Sequence, residues 1–381
     1  FLAVMTISFA VLLFFGREIY RQAPPVPEKV VTTEGVVLFT GQDIKDGQNI
    51  WQSIGGQEVG TVWGHGAYQA PDWSADWLHR EAVFMLDRLA VRSGTISYDV
   101  TPPERQASLK ITLQEELRKN TYDPSSQLLT VSPLRAEAIA SNSDYYGKLF
   151  TDDPAFDGLR DAYAIKENSL SDPERVRLMN AFFFWTSWAC VTERPGKEIT
   201  YTNNWPAEEL VGNRPTGALI LWTGFSVIML IAGIGFMGWL YARRRDTTPE
   251  LVPASFPLGD EKQTPSQKAT VKYFWVVSLL LLVQVILGVI TAHYTVEGQA
   301  FYGLPLSKIL PYSISRTWHV QIAIFWIATS WLATGLYYAP AISGHEPKFQ
   351  RLGVNLLFGS LLVIVLGSLA GQWMGVMQKL G

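Results

Sequence analysis

The sequence is poor in cysteine and in charge, and each shortage excludes a class of protein. The single cysteine, Cys190, excludes an internal disulfide framework and any zinc or iron–sulfur site built from several cysteines. Only 17% of the 381 residues are charged, against about 25% in soluble proteins, so part of the chain must face something other than water. A net charge of −3 and one short basic run, Arg243–Arg245, do not indicate a nucleic-acid partner.

The chain is rich in apolar residues, and these are concentrated in segments long enough to span a membrane. Residues 1–15 are uninterruptedly apolar, and we interpret residues 1–21 as an N-terminal transmembrane anchor, with an uncleaved signal segment as the alternative. A first residue of Phe suggests that further residues precede it. Four later stretches can each cross a hydrocarbon core of about 30 Å. They are residues 215–242, 271–293, 315–340 and 352–377.

Residues 22–214 differ from the rest because they are charged and punctuated by Pro and Gly, with no spanning apolar run. Helix starts are predicted near Pro102 and Asp172, where proline is followed by acidic residues in the first turn. The segment 173–190 is strongly apolar, but its early charges favour a buried amphipathic helix over a membrane span. We therefore predict one compact, mostly helical soluble domain over 22–214, followed by membrane helices over 215–381.

The distribution of basic residues predicts the orientation of the chain in the membrane. Cytoplasmic loops carry an excess of Lys and Arg, and six cations flank the loop between the first two of the four later stretches. They are Arg243, Arg244, Arg245, Lys262, Lys268 and Lys272. The loop 339–351 is predicted to be cytoplasmic as well. The loop 294–312 and the domain 22–214 are then expected outside the cytoplasm, on the periplasmic side of a bacterial inner membrane.

His319 is the leading cofactor candidate because it lies about one turn inside an apolar helix. An ionisable group at mid-membrane costs roughly 2.5 kcal/mol or more, so such residues are usually functional. Neutral imidazole is a common axial ligand of haem iron, and Arg316, one turn outward, could pair with a haem propionate. The alternative is a structural histidine that hydrogen-bonds to a neighbouring helix.

His293 and Glu297 form a second candidate site at the outer end of the preceding span. Residues four apart share one face of a helix, and an imidazole beside a carboxylate could accept two protons from a hydroquinone as its electrons leave. A helix end that merely reaches water explains the same residues equally well. The remaining histidines, His65, His79 and His345, are interpreted as surface or hydrogen-bonded residues.

With these segments laid out, the chain resembles the N-terminal part of a bacterial quinol-dependent nitric oxide reductase over essentially its whole length. The resemblance is carried by the two-part layout, by SRTWHVQ around His319, and by IWQSIGGQEVGTVWGHGAYQAPDW at 50–73. Cytochrome-dependent relatives have a haem c attachment motif, Cys-x-x-Cys-His, inside that last segment. Here residues 56–60 read Gly-Gln-Glu-Val-Gly, so the domain is expected to lack haem c.

The resemblance implies an α-helical integral membrane protein with a cytochrome c-like extracytoplasmic domain. It further implies that His319 is an axial ligand of low-spin haem b, that Arg316 binds a haem propionate, and that His293 and Glu297 dock the quinol. Tyr68 and the Gly66 carbonyl match positions that hold a calcium ion in relatives, where a bridging glutamate would come from later sequence.

The same resemblance places the catalytic metals after Gly381. The ligands of haem b₃ and of the non-haem iron would lie there, so the four later spans are interpreted as part of a longer bundle. The expected reaction is the reduction of two NO molecules to N₂O and water, as in denitrification. Menaquinol and ubiquinol both remain open as donors, and so does a homodimer. The alternatives are a haem–copper oxygen reductase and a non-catalytic, membrane-anchored binding or assembly protein.

Overall fold

A computed structural model describes residues 2–245 and 263–379, which form two compact units, residues 1–220 and 221–381. The predicted cytoplasmic loop residue Lys262 lies outside the described residues, as does Gly381. The first unit begins with a helix and continues into a mixed domain of seven helices and six short strands. These elements are α1 (Leu2–Gln22), β1 (Lys29–Thr32), β2 (Val37–Thr40), α2 (Gly41–Ser53), α3 (Gly56–Val59), β3 (Thr61–Val62), β4 (His65–Gly66), α4 (Trp73–Arg92), α5 (Pro103–Arg118), β5 (Tyr122–Asp123), β6 (Leu128–Val131), α6 (Pro133–Phe150), α7 (Asp157–Ala162) and α8 (Pro173–Val191).

The helices of this domain start where local chemistry satisfies their free N–H groups. Thr40 and Asp43 form a reciprocal capping box at α2, and the side chains of Asp72 and Ser132 cap α4 and α6. Helices begin at Pro103, after Pro102, and at Pro173, after an Asp172 cap. The helix starts predicted near Pro102 and Asp172 are therefore confirmed.

A four-stranded sheet in the order β2-β1-β6-β5 accompanies the helices, and no sequence pattern predicted it. The central pair, β1 and β6, is parallel, with Val30 opposite Leu129, so it joins segments about a hundred residues apart. The outer pairs are antiparallel. The domain is mostly helical, as predicted, because the strands contain only two to four residues each.

The core of the domain is built around α8, which packs against α2, α4 and α6. From Met179 to Val191 nearly every side chain is buried, so the helix is covered on all sides. The buried helix predicted for 173–190 is therefore confirmed, although its burial is not confined to one face. From Met179 onward neighbouring elements surround α8, whereas Glu174 and Arg177 in its first turns stay partly exposed. Its largest fully buried neighbours are aromatic, and burying each of them stabilises the fold by roughly 2–3 kcal/mol. The fully buried aromatic residues of this domain include Trp73, Trp77, Tyr146, Phe150, Phe183, Phe184 and Trp188.

Within this core lies one fully buried ion pair. The Arg135 Nε donates to Glu81 Oε1 at 2.7 Å, and the guanidinium lies 5.4 Å from the Phe184 ring centroid. Burial raises the pKa of Glu81, and the charge and hydrogen bond of Arg135 oppose that shift. Glu81 Oε2 has no hydrogen-bond partner among the described residues, so the pair depends on a single hydrogen bond.

Among the described residues, five helices are long and apolar enough to cross a membrane, which confirms the predicted multi-span membrane fold. They are α1 and then α9 (Gly217–Arg245), α10 (Pro265–Val296), α11 (Tyr312–Ser343) and α12 (Gln350–Val376). Helices α10 and α11 extend three to six residues beyond each end of the apolar stretches expected from the sequence, whereas α12 matches its stretch within two residues. A capping box of Thr264 and Gln267 starts α10 before its apolar part, and Gly344, in the left-handed conformation, ends α11.

Helices α10, α11 and α12 pack on one another, mainly through aliphatic contacts. One cluster joins Leu287 of α10, Ile322 of α11 and Val365 of α12, and a second is centred on Tyr273 and Ala333. The apolar windows of α1 and α9 bury no side chain against protein. Exposed apolar helical surface of this kind is suited to lipid, because each helix satisfies its own backbone hydrogen bonds.

Candidate functional site

The His319 imidazole lies on α11 and is held against α10. Its Nδ1 is 2.9 Å from the main-chain oxygen of Gln284. A carbonyl oxygen only accepts hydrogen bonds, so Nδ1 must carry the proton. In the neutral ring the lone pair is then on Nε2, which is the form of imidazole that ligates metals. One ring nitrogen of His319 thus makes the hydrogen bond to a neighbouring helix that the structural alternative expects, and the other ring nitrogen is available for a ligand.

Gly288 allows the imidazole to lie directly on the α10 backbone. A Cβ at this position would be 2.8 Å from His319 Cε1 and 3.0 Å from Nδ1, which is closer than real Cβ contacts. The Gln284 side chain is also fixed, because Trp326 Nε1 donates to its Oε1 at 2.8 Å. The carbonyl, the missing side chain and the indole together orient the ring.

These observations fit the binding of an iron porphyrin through one axial ligand. The donor is a partly buried imidazole whose Nδ1 is engaged by a carbonyl, and α10 has a glycine where a side chain would displace it. Arg316 is half-buried on the same helix, three residues before His319. The ligand and propionate roles of these two residues remain predictions. Trp318 lies beside them and donates to the Leu369 carbonyl of α12 at 3.2 Å.

The His293 and Glu297 side chains are in contact at the end of α10, as expected for residues four apart. His293 Nδ1 is 3.2 Å from Glu297 Oε2, and both side chains are partly exposed. The Phe301 ring stacks on the imidazole, with ring centroids 4.1 Å apart and planes within 5°. Tyr302 packs edge-on against the same imidazole, and its hydroxyl is buried without a hydrogen-bond partner among the described residues.

The two histidine sites adjoin the same helix. Gly288, on which His319 packs, lies five residues before His293 on α10. At 1.5 Å per residue this is about 7.5 Å along the helix axis. The His293–Glu297 pair and the His319 imidazole thus lie within two turns of each other along α10.

The predicted calcium residues lie in the soluble domain, near the short hairpin of β3 and β4. The Tyr68 side chain is exposed, and its hydroxyl donates to the Gly64 carbonyl at 3.0 Å. The nearby carboxylate of Asp72 already accepts from Thr61, Gly64 and Ser74. Calcium takes six to eight oxygen ligands, so Tyr68 and the Gly66 carbonyl could only be part of a set, and the calcium site stays a prediction.

The segment that lacks the haem c motif is tightly packed. A Cβ at Gly56 would fall 2.3 Å from the Trp51 indole nitrogen, and one at Gly60 would fall 2.4 Å from that of Trp73. Larger side chains at these two positions would overlap the two indole rings. His65 nearby is exposed, with Nδ1 2.8 Å from the Trp63 carbonyl.

The other two histidines have ordinary surroundings, as expected from the sequence. His79 Nδ1 is 2.8 Å from Glu208 Oε2 on the surface of the soluble domain, and His345 is exposed in the loop between α11 and α12. Within residues 2–245 and 263–379, no group of three or more His, Cys, Asp or Glu side chains could hold a metal ion. A multi-ligand metal centre is therefore absent from the described part of the chain.

Several residues that shape these sites were not predicted from the sequence. Gln284 and Gly288 could have been suspected, because an amide and a glycine are conspicuous inside an apolar span. Phe301 and Tyr302 gave no such signal, since aromatic residues are common at membrane interfaces. Their contacts with His293 depend on how the chain turns back after α10.

Two protein families match this chain in separate segments. Residues 27–207 match the cytochrome c-like domain of NorB, a nitric oxide reductase protein. Residues 268–380, which include His293, Arg316 and His319, match cytochrome c and quinol oxidase polypeptide I. No curated protein matches the chain.

Proposed function

The two matches make this chain a NorB-like oxidoreductase of the haem–copper oxidase superfamily, and from that premise we propose that it receives electrons for the reduction of nitric oxide. The observation that carries the proposal is the occurrence of both matches in one chain. The first distinguishes a nitric oxide reductase from an oxygen reductase, and the second covers the helices that bear the candidate sites. The membrane helices make the lipid bilayer its surroundings.

We propose that His319 is an axial ligand of low-spin haem b through Nε2, and that Arg316 binds a propionate. Haem b, when bound, would supply one-electron transfer. The Gln284 carbonyl keeps the Nδ1 proton in place, so Nε2 would be the atom that holds the haem iron. Gly288 leaves room for the ring. These contacts fix the donor atom before any cofactor binds.

We propose a lipid-soluble quinol as the electron donor, with its head group at His293 and Glu297. Oxidation of one quinol releases two electrons and two protons. The Glu297 carboxylate and the His293 imidazole lie 3.2 Å apart and can each accept one of those protons. The buried Tyr302 hydroxyl, which lacks a partner among the described residues, offers a further hydrogen bond beside them.

A quinol donor agrees with the chemistry of the soluble domain. Covalent haem c attachment needs two thioether cysteines, but the chain has one cysteine and it is buried inside α8. Electrons would therefore enter from the membrane rather than through this domain. The expected orientation, with the domain on the periplasmic side of a bacterial inner membrane, is part of the same proposal.

The overall reaction proposed is 2 NO + 2 e⁻ + 2 H⁺ → N₂O + H₂O. A pair of metals suits it, because two NO molecules can be held side by side while electrons arrive separately. The described residues do not fit such a pair, since they contain no group of three metal-ligating side chains. Haem b₃ and non-haem iron would need ligands from outside this sequence.

The test compares His319→Ala and His293→Ala in the complete enzyme. For His319→Ala we expect loss of the reduced-minus-oxidised haem b α-band and of quinol-driven NO reduction. For His293→Ala the α-band should remain, while quinol-driven turnover falls at least tenfold and turnover with an artificial one-electron donor persists. Retention of the band in the His319 variant, or of quinol-driven turnover in the His293 variant, would refute the corresponding role.

His65→Ala is the matched control, because its Nδ1 also lies within hydrogen-bond distance of a main-chain carbonyl. Neither the spectrum nor the turnover should change in this variant. Oxygen consumption is measured in parallel. A preparation that reduces O₂ rapidly but leaves NO untouched would identify an oxygen reductase, and a preparation without any haem band would indicate a binding or assembly protein.

A further inference from the structure

The membrane unit contains a cationic cavity at the end of the bundle where α10 and α12 begin. Its volume is about 370 Å³. The residues that line it are Gln263, Pro265, Lys268, Ala269, Arg351 and Asn355. Two of them are cationic and none is a carboxylate, so the cavity is suited to an anion. It is separate from His319 and His293, which lie further along the helices.

Lys268 of α10 and Arg351 and Asn355 of α12 line this cavity, and Lys272 lies one turn beyond Lys268. Lys268 and Lys272 are four residues apart on α10, and Arg351 and Asn355 are four apart on α12, so each pair lies on one helix face. Lys272 Nζ donates to Asn355 Oδ1 at 2.6 Å and lies 4.5 Å from the Phe358 ring centroid. Because the amide oxygen of Asn355 is engaged, its NH₂ group is the part left to donate to an anion.

Among the described residues, Glu346 is an acidic group near the start of α10, and it is already engaged. Glu346 Oε1 accepts a hydrogen bond at 3.0 Å from the main-chain N–H of Ser266, in the first turn of α10. Its charge is therefore directed at the start of that helix, and Glu346 does not line the cavity. The Lys268 and Arg351 side chains are both exposed, so a ligand can reach them from outside the bundle.

The cavity lies at the depth expected of lipid head groups. Trp275, which is 73% exposed, follows Lys268 by seven residues, or about 10 Å of helix. Gln263 donates to the hydroxyl of Tyr337 on α11. Exposed tryptophan and tyrosine mark the boundary between head groups and acyl chains, so the cations extend on the polar side of that boundary while the apolar surface beside Trp275 faces acyl chains.

We propose that this cavity binds the phosphodiester head group of an anionic phospholipid. Lys268, Arg351 and the Asn355 amide would contact the phosphate oxygens, and the acyl chains would lie along the exposed apolar surface of α10. Basic pockets between membrane helices recognise anionic head groups in this way. The proposal depends on the membrane fold and is independent of the reaction that the enzyme catalyses.

The test measures lipid retention by the delipidated complete enzyme with native mass spectrometry. We expect bound phosphatidylglycerol in the wild type and at least tenfold weaker retention in the Lys268→Gln, Arg351→Gln double variant. The zwitterionic lipid phosphatidylcholine should bind weakly to both proteins. A charge-preserving Lys268→Arg, Arg351→Lys variant should keep most of the affinity, which separates a loss of charge from a loss of folding.

The control removes two exposed cations from the other end of the same helices, in a Lys308→Gln, Lys379→Gln variant. Its retention of phosphatidylglycerol should equal that of the wild type. An equal loss in this control, or equal retention of both lipids by the wild type, would overturn the proposal. Soluble glycerol 3-phosphate is the last probe. If it competes as tightly as the lipid, the cavity takes a free phosphate ester and the lipid assignment is wrong.

Discussion

Tryptophan occupies opposite environments in the two units of this protein. Trp73 and Trp77 are completely buried in the soluble domain, whereas Trp275 and Trp331 are 73% and 78% exposed on the membrane helices. A large ring in water must be buried in protein, but in a bilayer it can face lipid. In the first unit, the residues that matter most for structure are therefore recognised by their burial. In the second unit, where exposed apolar residues face lipid, they are recognised by their polar contacts.

Histidine shows the same contrast between the two units. His65 and His319 both have Nδ1 within hydrogen-bond distance of a main-chain carbonyl, so the local geometry alone does not distinguish them. His65 is exposed to water, which can satisfy its other nitrogen. His319 lies in a membrane helix against Gly288, where water is scarce, and the haem iron proposed above would satisfy its other nitrogen.

The largest predicted effect is the protection of the Cys190 thiol from alkylation, which tests how tightly the core of the soluble domain is closed. The thiol is fully buried, and burial raises its pKa to about 12. Alkylation needs the thiolate, whose fraction at pH 8 is then about a thousandfold below that of an ordinary thiol. We expect no reaction of the native protein with a water-soluble alkylating reagent over hours, and complete reaction after denaturation.

The control is a Cys190→Ser protein with Ser125→Cys, which places the thiol on the exposed turn before β6. This variant should react within minutes under native conditions. If native Cys190 reacted at a comparable rate, the core of the soluble domain would open far more readily than its packing implies.

The next largest effect concerns the buried ion pair of the soluble core, Arg135 and Glu81. It tests whether burial decides the importance of a residue in this unit. Glu81→Ala should destabilise the domain by about 3–5 kcal/mol, because Arg135 would be left buried without its partner. Replacing both residues by methionine should recover most of this loss. The measurement is urea unfolding of the complete chain, followed by the fluorescence of the buried tryptophans.

Arg88→Ala provides the comparison, because Arg88 and Glu137 form a pair that is about half exposed. Its removal should change the free energy of unfolding by less than about 1 kcal/mol. Equal effects of the exposed and buried substitutions would contradict the role assigned to burial in this unit.

In the membrane unit, the substitution Gly288→Ala tests whether the contacts of His319 with α10 position its ring. Gly288→Ala should displace the His319 ring at a cost of about 1–3 kcal/mol, and so lower haem b retention roughly tenfold. The absorption spectrum and the midpoint potential of the bound haem report this displacement without reference to turnover. Gly359→Ala on α12 has open space around it and should leave both quantities unchanged.

The smallest predicted effect is the acid sensitivity of the Asp43–Arg177 contact. Partial burial raises the pKa of Asp43, but hydrogen bonds from Arg177 and Thr40 outweigh it, and the net pKa is lowered from 3.8. The stabilisation is then present above about pH 4 and is lost as the pH falls through the folded-state pKa. Because the group is near the surface, we expect less than about 1 kcal/mol.

Asp43→Asn can keep the oxygen that accepts from the Thr40 N–H, and it removes the charge together with the second oxygen that accepts from Arg177. Unfolding midpoints of the variant and the wild type should differ at pH 6 and converge as the pH falls towards 3. A difference that stays constant over this range would show that the charge has no part in it.

The membrane helices could be predicted from the sequence because long apolar runs have few alternatives. The soluble domain was harder. The pairing of Val30 with Leu129 brings together two-to-four-residue strands across about a hundred residues, and strands so short carry almost no periodic signal. The burial of α8 was predicted, but not that it extends to every face beyond Met179, because the early charges of the segment indicated an amphipathic helix.

The candidate sites were predicted as far as local spacing allows. His293 and Glu297 meet because they are four residues apart on one helix. The contact of His319 with Gln284 and Gly288 involves two helices, whose relative rotation a single sequence does not specify. Phe301 contacts His293 because the chain turns back after α10. The geometry of such a turn cannot be predicted from the periodicity of apolar residues.

Trp318, the residue next to His319, connects α11 to α12. Its indole donates to the Leu369 carbonyl, and one turn further along α12 the indole of Trp373 donates to the Ile309 carbonyl, just before α11. These two hydrogen bonds connect α12 to α11 and to the turn before it, and they oppose movement of α12 along α11. We therefore expect a shift of α12 along its axis to displace the turn of α11 that bears the imidazole.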